Sequence, residues 1–341
     1  MLPFNISQAR RPAIAARHVL ALVSTIALAA CQDAPTEPRA QSPQPDAILS
    51  GGGCGITACP PPPPRIAYVR YFNTIDSIFT AYPDGSGIKR VARGWQPAWS
   101  PDRQKLAFAG WVGGHFQIFK VNADGTGLTQ LTYKAVNHQN PKWSPDGTRI
   151  AFEGNVKDTT NTDIYIIRAD GTGLVRLTSK PAWDGQPTWR PDGKYIAFAT
   201  TRDGKSQIFK INVDGTTHIA TKMTYNVAGA YQPAYSPDGT KLLWTTVESV
   251  APPAGTPGPI ACGLVVMAAD GSWVRWIANG QTRCYHGSFS PSGTQITFDA
   301  PVTVNGVTTE HAFIMNADGT STRRLLPTHT YPDWDPAWSA Y

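Results

Sequence analysis

The chain has 341 residues, 41% of them hydrophobic and 10% aromatic, which is enough to bury a large core in one all-β domain or two ordinary ones. Thirty prolines and 31 glycines beside only 16% charged residues argue against a helical enzyme and for many short strands joined by tight turns. The formal charge of +6 includes Arg10, Arg11 and Arg17 of a leader; without them 27 basic residues face 24 acidic ones, too weak and dispersed a balance for a nucleic-acid footprint.

Residues 1–30 read as a signal peptide: three arginines precede an apolar run over 19–30 that is short for a membrane span. The run ends in Leu28-Ala29-Ala30-Cys31, which resembles the bacterial lipobox, so the Cys31 thiol is expected to carry the lipid. Two or three acyl chains make a stable anchor. Gln32, where an Asp would favour the inner membrane, points to the periplasmic face of the outer membrane or the cell surface. Residues 31–65 form the tether, with nine prolines, five of them consecutive from Pro60 to Pro64. Extended, it reaches on the order of 100 Å. The remaining cysteines are an even set in an oxidising compartment, with local pairing expected for Cys54 with Cys59 and for Cys262 with Cys284.

From Ile66 onward one unit repeats. Its marker is Pro97-Ala98-Trp99-Ser100-Pro101-Asp102, followed by Pro141-Lys142-Trp143-Ser144-Pro145-Asp146-Gly147 and by copies around Trp189, Tyr235, Phe289 and Trp338. The aromatic recurs after 44, 46, 46, 54 and 49 residues, a spacing suited to propeller blades. After each marker come an alternating strand such as Leu106-Ala107-Phe108, a second such as Gln117-Ile118-Phe119, an Asp-Gly turn and a last strand ending as in Arg176-Leu177-Thr178. The marker strand and these three make four antiparallel strands per unit. The chain starts within a blade, at Ile66-Ala67-Tyr68, and finishes with the marker strand over 336–339. The expectation is therefore an all-β, six-bladed β-propeller over 66–341, closed by pairing of the C-terminal strand with the N-terminal strands.

These phrases resemble the TolB-like β-propeller repeats, over about four-fifths of the chain. The resemblance implies the fold and leaves function open, because such repeats serve periplasmic scaffolds, sugar lyases and the propellers of prolyl peptidases. TolB itself carries an α/β domain and a TolA-binding segment before its propeller. A lipid-anchored tether is expected in their place here.

The marker carboxylates and the Asp-Gly carboxylates are read as turn formers, and Trp99, Trp143 and Trp189 as packing between blades. The residue before each marker should sit at the mouth of the central channel: Gln96, Asn140, Gln186, Gln232, His286 and Asp335. Around them stand Trp95, His138, Trp183, Tyr231, Tyr285 and Trp334. A polar ring under aromatic residues suits a sugar, a peptide loop or a protein partner.

A serine hydrolase would need a G-x-S-x-G elbow, which the sequence lacks, and a dinucleotide or phosphoryl enzyme would need a Gly-rich loop between strand and helix, also lacking. The alternative that survives is a metal-dependent, oligogalacturonate-type lyase with His138, His286 and Gln186 converging and Asp335 nearby. The reading adopted is a monomeric envelope lipoprotein that binds an envelope protein or a glycan at its mouth. It is expected to use no cofactor, metal, catalytic residue or nucleic acid, and to meet the membrane only through its anchor.

Overall fold

The computed structural model describes residues 63–341 apart from 73–74, 157–160, 215–217, 226–228, 247–262, 278–283, 328–330 and 340–341. The leader, Cys31, Cys54, Cys59 and Cys262 lie outside the described residues. Cys284 is buried and disulfide-bonded, with its partner outside them as well.

Twenty-four strands form six four-stranded antiparallel sheets, and the described residues contain no helix. Five sheets take their strands in sequence order; the sixth joins Asp333–Trp338 to Ile66–Phe72, Ile75–Ala81 and Lys89–Arg93. Blades one to five span 95–130, 138–176, 184–222, 231–277 and 285–324, and blade six is the composite sheet. The inner strands are Trp95–Trp99, His138–Trp143, Asp184–Trp189, Tyr231–Tyr235, Tyr285–Phe289 and Asp333–Trp338, and each touches the next around a closed ring.

The repeated phrases explain why each blade forms. In the Ser-Pro-Asp turn, the serine hydroxyl donates to the aspartate two residues on, at 2.5 Å for Ser100 with Asp102 and for Ser144 with Asp146. At the base of four blades, Asp84, Asp124, Asp170 and Asp318 accept both the N–H and the hydroxyl of the Ser or Thr two residues later. Those bonds hold the carboxylates below their usual range. Both sets are therefore ionised turn acceptors. The Leu-Thr phrase, Met-Thr in blade three, docks the fourth strand, since Oγ1 of Thr132, Thr178 and Thr224 accepts the N–H of Ile118, Ile164 and Ile208 at 2.9 to 3.0 Å.

The core lies between blades. Trp143 packs with Ala98, Ala107, Ile118 and Leu131 of blade one and with Ile150, Phe152 and Ile167 of its own. Trp99 and Trp189 bridge their own pairs of blades in the same way.

Candidate functional site

The inner strands and the hairpins between second and third strands meet on one face, the mouth. Each inner strand slips register there, between Trp95 and Ala98, Gln139 and Lys142, Gly185 and Thr188, Tyr231 and Ala234, and Tyr285 and Ser288, with a matching shift in blade six. The residue inside each bulge is one of the six mouth positions, and all six have left-handed backbone, with φ of 56° at Gln96, 53° at Asn140, 55° at Gln186, 52° at Gln232, 52° at His286 and 50° at Asp335. Proline follows in five of the six copies. Proline has no N–H to withdraw from the ladder, and it keeps the preceding residue out of the right-handed helical region. A left-handed non-glycine residue costs about 1 kcal/mol or more.

A belt of hydrogen bonds offsets that cost. The Asn140 N–H donates to Gln96 Oε1 at 3.0 Å, the Gln232 N–H to Gln186 Oε1 at 2.9 Å and the His286 N–H to Gln232 Oε1 at 3.0 Å. Asn140 is one methylene shorter than the glutamines, and the buried carboxylate of Glu153 takes over the next link. It accepts the Gln186 N–H at 2.8 Å and the Asn140 side chain. Burial pushes the Glu153 pKa up, with those two bonds working the other way. The amide oxygens of Gln96, Gln186 and Gln232 thus tie neighbouring blades, and the polar ring is first of all a clasp.

His286 closes a charged group. Its Nδ1 stands 2.7 Å from Oδ1 of the fully buried Asp299, and its Nε2 stands 2.7 Å from Oδ1 of Asp335. Burial works against a proton on this imidazole, but the Asp335 and Asp299 carboxylates outweigh it and push the pKa up to about 9. His286 is therefore an imidazolium at neutral pH. On the inner strand of blade two, burial lowers the pKa of Lys142 while the Asp335 carboxylate opposes that shift. Among the described residues, His286, Asp299 and Asp335 are the group able to gather three metal-ligand atoms, all within 4.8 Å of one another.

His138 is not part of that group. It is buried against Phe152 and Tyr165, with ring centroids 5.0 and 6.0 Å away, and burial lowers its pKa to about 4. The residues of the lyase alternative are thus distributed: His138 in an aromatic pocket, Gln186 in the clasp, and His286 with Asp335.

The aromatic rim is half-exposed. Trp95 donates Nε1 to Asp76 Oδ2 at 2.9 Å and meets Phe116 edge-on at 5.1 Å, and Trp111 meets the same ring at 4.8 Å. Trp111 is 54% exposed, so this cluster presents an aromatic face to solvent. Trp183 and Tyr231 lie 6.4 Å apart, as do Tyr285 and the His286 ring. Trp334 is half-buried opposite Val69 on the closing sheet.

Glu153, Asp299 and Lys142 were absent from the residues expected at the mouth, yet two of them carry a signal. Glu153 and Asp299 occupy the second-strand position that holds Ala109 and Ala199 in other blades. An acid in Ala-Phe-Glu and Thr-Phe-Asp, where the equivalents are Ala109, Ala199, Thr245 and Val69, marks a copy that departs from the structural consensus.

A family model described as the TolB beta propeller domain matches residues 154–341. TolB from Acinetobacter baumannii is similar in structure with a TM-score of 0.66, at 22% identity over 81% of this chain and 67% of that one. A putative TolB from Agrobacterium tumefaciens gives 0.58 at 18% identity, over 82% and 98% of the two chains. A chain of a nidogen/laminin complex gives 0.61 at 9% identity, over 81% and 98%. Identities this low speak for the fold alone. No curated protein matches the chain in sequence.

Proposed function

The chain belongs to the TolB β-propeller family, and on that premise we propose that it is a cell-envelope binding module that holds an envelope protein or a glycan at the propeller mouth. The observation that carries this reading is the rim itself. Trp95, Tyr231, Tyr285 and Trp334 on the inner strands, and Trp183 just before one, are half-exposed where the mouth ends are clasped blade to blade. Aromatic side chains offer large contact area, and a rigid scaffold adds little ordering cost on binding. Trp95, Tyr231, Tyr285 and Trp334 act as anchors, and the edges of the clasp residues give polar specificity.

Placement in the envelope rests on the leader and on lipid attachment at Cys31, which would make the anchor the only membrane contact of a monomeric binder. The test is capture from envelope extract and from a glycan array, with wild type beside Trp95→Ala/Trp334→Ala. Trp273→Ala, an exposed tryptophan at the base of blade four, serves as control. Circular dichroism confirms that each variant folds. Loss of a ligand with the mouth variant alone supports the reading. Capture unchanged by the mouth variant, or reduced equally by the base variant, sinks it.

A further inference from the structure

We propose that His286 and Asp335, with Asp299 behind the imidazole, bind one divalent transition-metal ion of the manganese or zinc type at the channel mouth. This inference is independent of the rim reading. The two ligand atoms, His286 Nε2 and Asp335 Oδ1, already lie 2.7 Å apart, within a group that with an Asp299 oxygen spans no more than 4.8 Å. Asp299 is fully buried and 2.7 Å from Nδ1, which turns Nε2 toward Asp335. A carboxylate on the far nitrogen is the arrangement that fixes the tautomer and ring orientation of metal-binding histidines.

Asp335 supplies the second observation. Its side chain is 10% exposed, and its Oδ1 is ion-paired to Nε2 at 2.7 Å with no other hydrogen-bond partner for that oxygen. Metal–ligand bonds of about 2.0–2.2 Å place adjacent donors roughly 3 Å apart, so His286 and Asp335 need open only slightly to take an ion between them. On binding, the Nε2 proton leaves for solvent and the ion takes its place. Two carboxylates beside one imidazole leave surplus negative charge in an enclosed site, and a dication neutralises it. The mixture of imidazole and carboxylate suits manganese or zinc better than calcium or magnesium. With 21% of the His286 side chain reached by solvent, the ion has an entry path.

Lys142 is coupled electrostatically to Asp335. A cation at Asp335 competes with that ammonium, so removing the ammonium tightens binding without touching a ligand. The probe is Mn2+ with the full-length protein, because thiols hold it weakly, read by loss of the free-ion electron paramagnetic resonance signal. Wild type is expected to bind one saturable equivalent. Asp335→Asn weakens binding at least about tenfold, Asp299→Asn weakens it about 10- to 100-fold, and Lys142→Gln strengthens it several-fold. Absence of a saturable equivalent in wild type overturns the proposal. So does binding that both Asp335→Asn and Lys142→Gln leave unchanged. Because Lys142→Gln acts by gain, a folding defect in a ligand variant cannot imitate support.

Discussion

Arg103 has φ of 61° in the place where other copies of the Ser-Pro-Asp-Gly turn put Gly147, Gly193, Gly239 and Gly293, all between 68° and 70°. A side chain there costs about 1–2 kcal/mol in conformation, of which glycine's extra freedom in the unfolded chain returns a part. Arg103→Gly is expected to raise stability by about 0.5–1 kcal/mol in urea unfolding, and a loss of stability would show that Arg103 contacts outweigh the strain. A second residue-scale effect concerns His138, whose folded pKa of about 4 lies below the ordinary 6.5. Between those values the unfolded chain takes up a proton that the folded one refuses. The contribution is therefore complete above pH 6.5 and is lost as pH falls toward 4, by about 3 kcal/mol at ~1.4 kcal/mol per unit. His138→Phe should flatten the fall in melting temperature across that window, and an unchanged slope would assign the fall to other groups. His138 and His286 look alike in sequence, each just ahead of a marker phrase. One is neutral because Phe152 and Tyr165 enclose it, and the other is charged because Asp299 and Asp335 flank it. Those partners lie 13 to 49 residues away, so no local pattern distinguishes the two.

Strand order, turns and the inter-blade aromatic, tryptophan in four of six copies, were legible in the sequence because each recurs from blade to blade. The inner-strand bulge was not. Gln96 before Pro97 reads as ordinary extended backbone, and its left-handed φ appears only once the next blade's N–H stands ready to meet its amide. Gln232→Leu removes an acceptor and leaves the His286 N–H unpaired within the strand ring. Leaving such a donor unmet costs about 1–3 kcal/mol, which urea unfolding should register; a neutral outcome would mean that water replaces the clasp. The Glu153 link has its own steric check, because a Cβ on Gly185 would stand 2.4 Å from the Trp183 ring and 2.5 Å from Glu153 Oε2. Gly185→Ala is therefore expected to destabilise by about 1–3 kcal/mol and to shift the tryptophan fluorescence of the mouth. An unperturbed spectrum at reduced stability would separate the backbone effect from the rim.

Closure of the ring belongs to the whole molecule. Ile66 pairs with Trp338 and Arg70 with Asp333, and beyond the strand the Ser339 N–H donates to the Arg65 carbonyl at 2.8 Å. Trp338 packs among Ile66, Tyr68, Phe79 and Ala81 of blade six and Ala312, Ile314, Leu325 and Leu326 of blade five. It thus joins the last blade in sequence to the one that contains the N-terminal strands. Trp143 does the same between blades one and two, and both indole N–H groups lack a hydrogen-bond partner. Either tryptophan changed to alanine removes packing alone, at about 3–5 kcal/mol. In an open array each unit leans only on its neighbours, so a lesion at the terminal unit frays that unit first. In a closed ring the terminal blade is as enclosed as any other, and local loss propagates. Trp338→Ala and Trp143→Ala are therefore expected to lower the single unfolding transition by similar amounts, with circular dichroism and fluorescence melting together. An early transition confined to Trp338→Ala, with the rest melting as wild type does, would mean that the final strand is latched on without closing the cooperative unit.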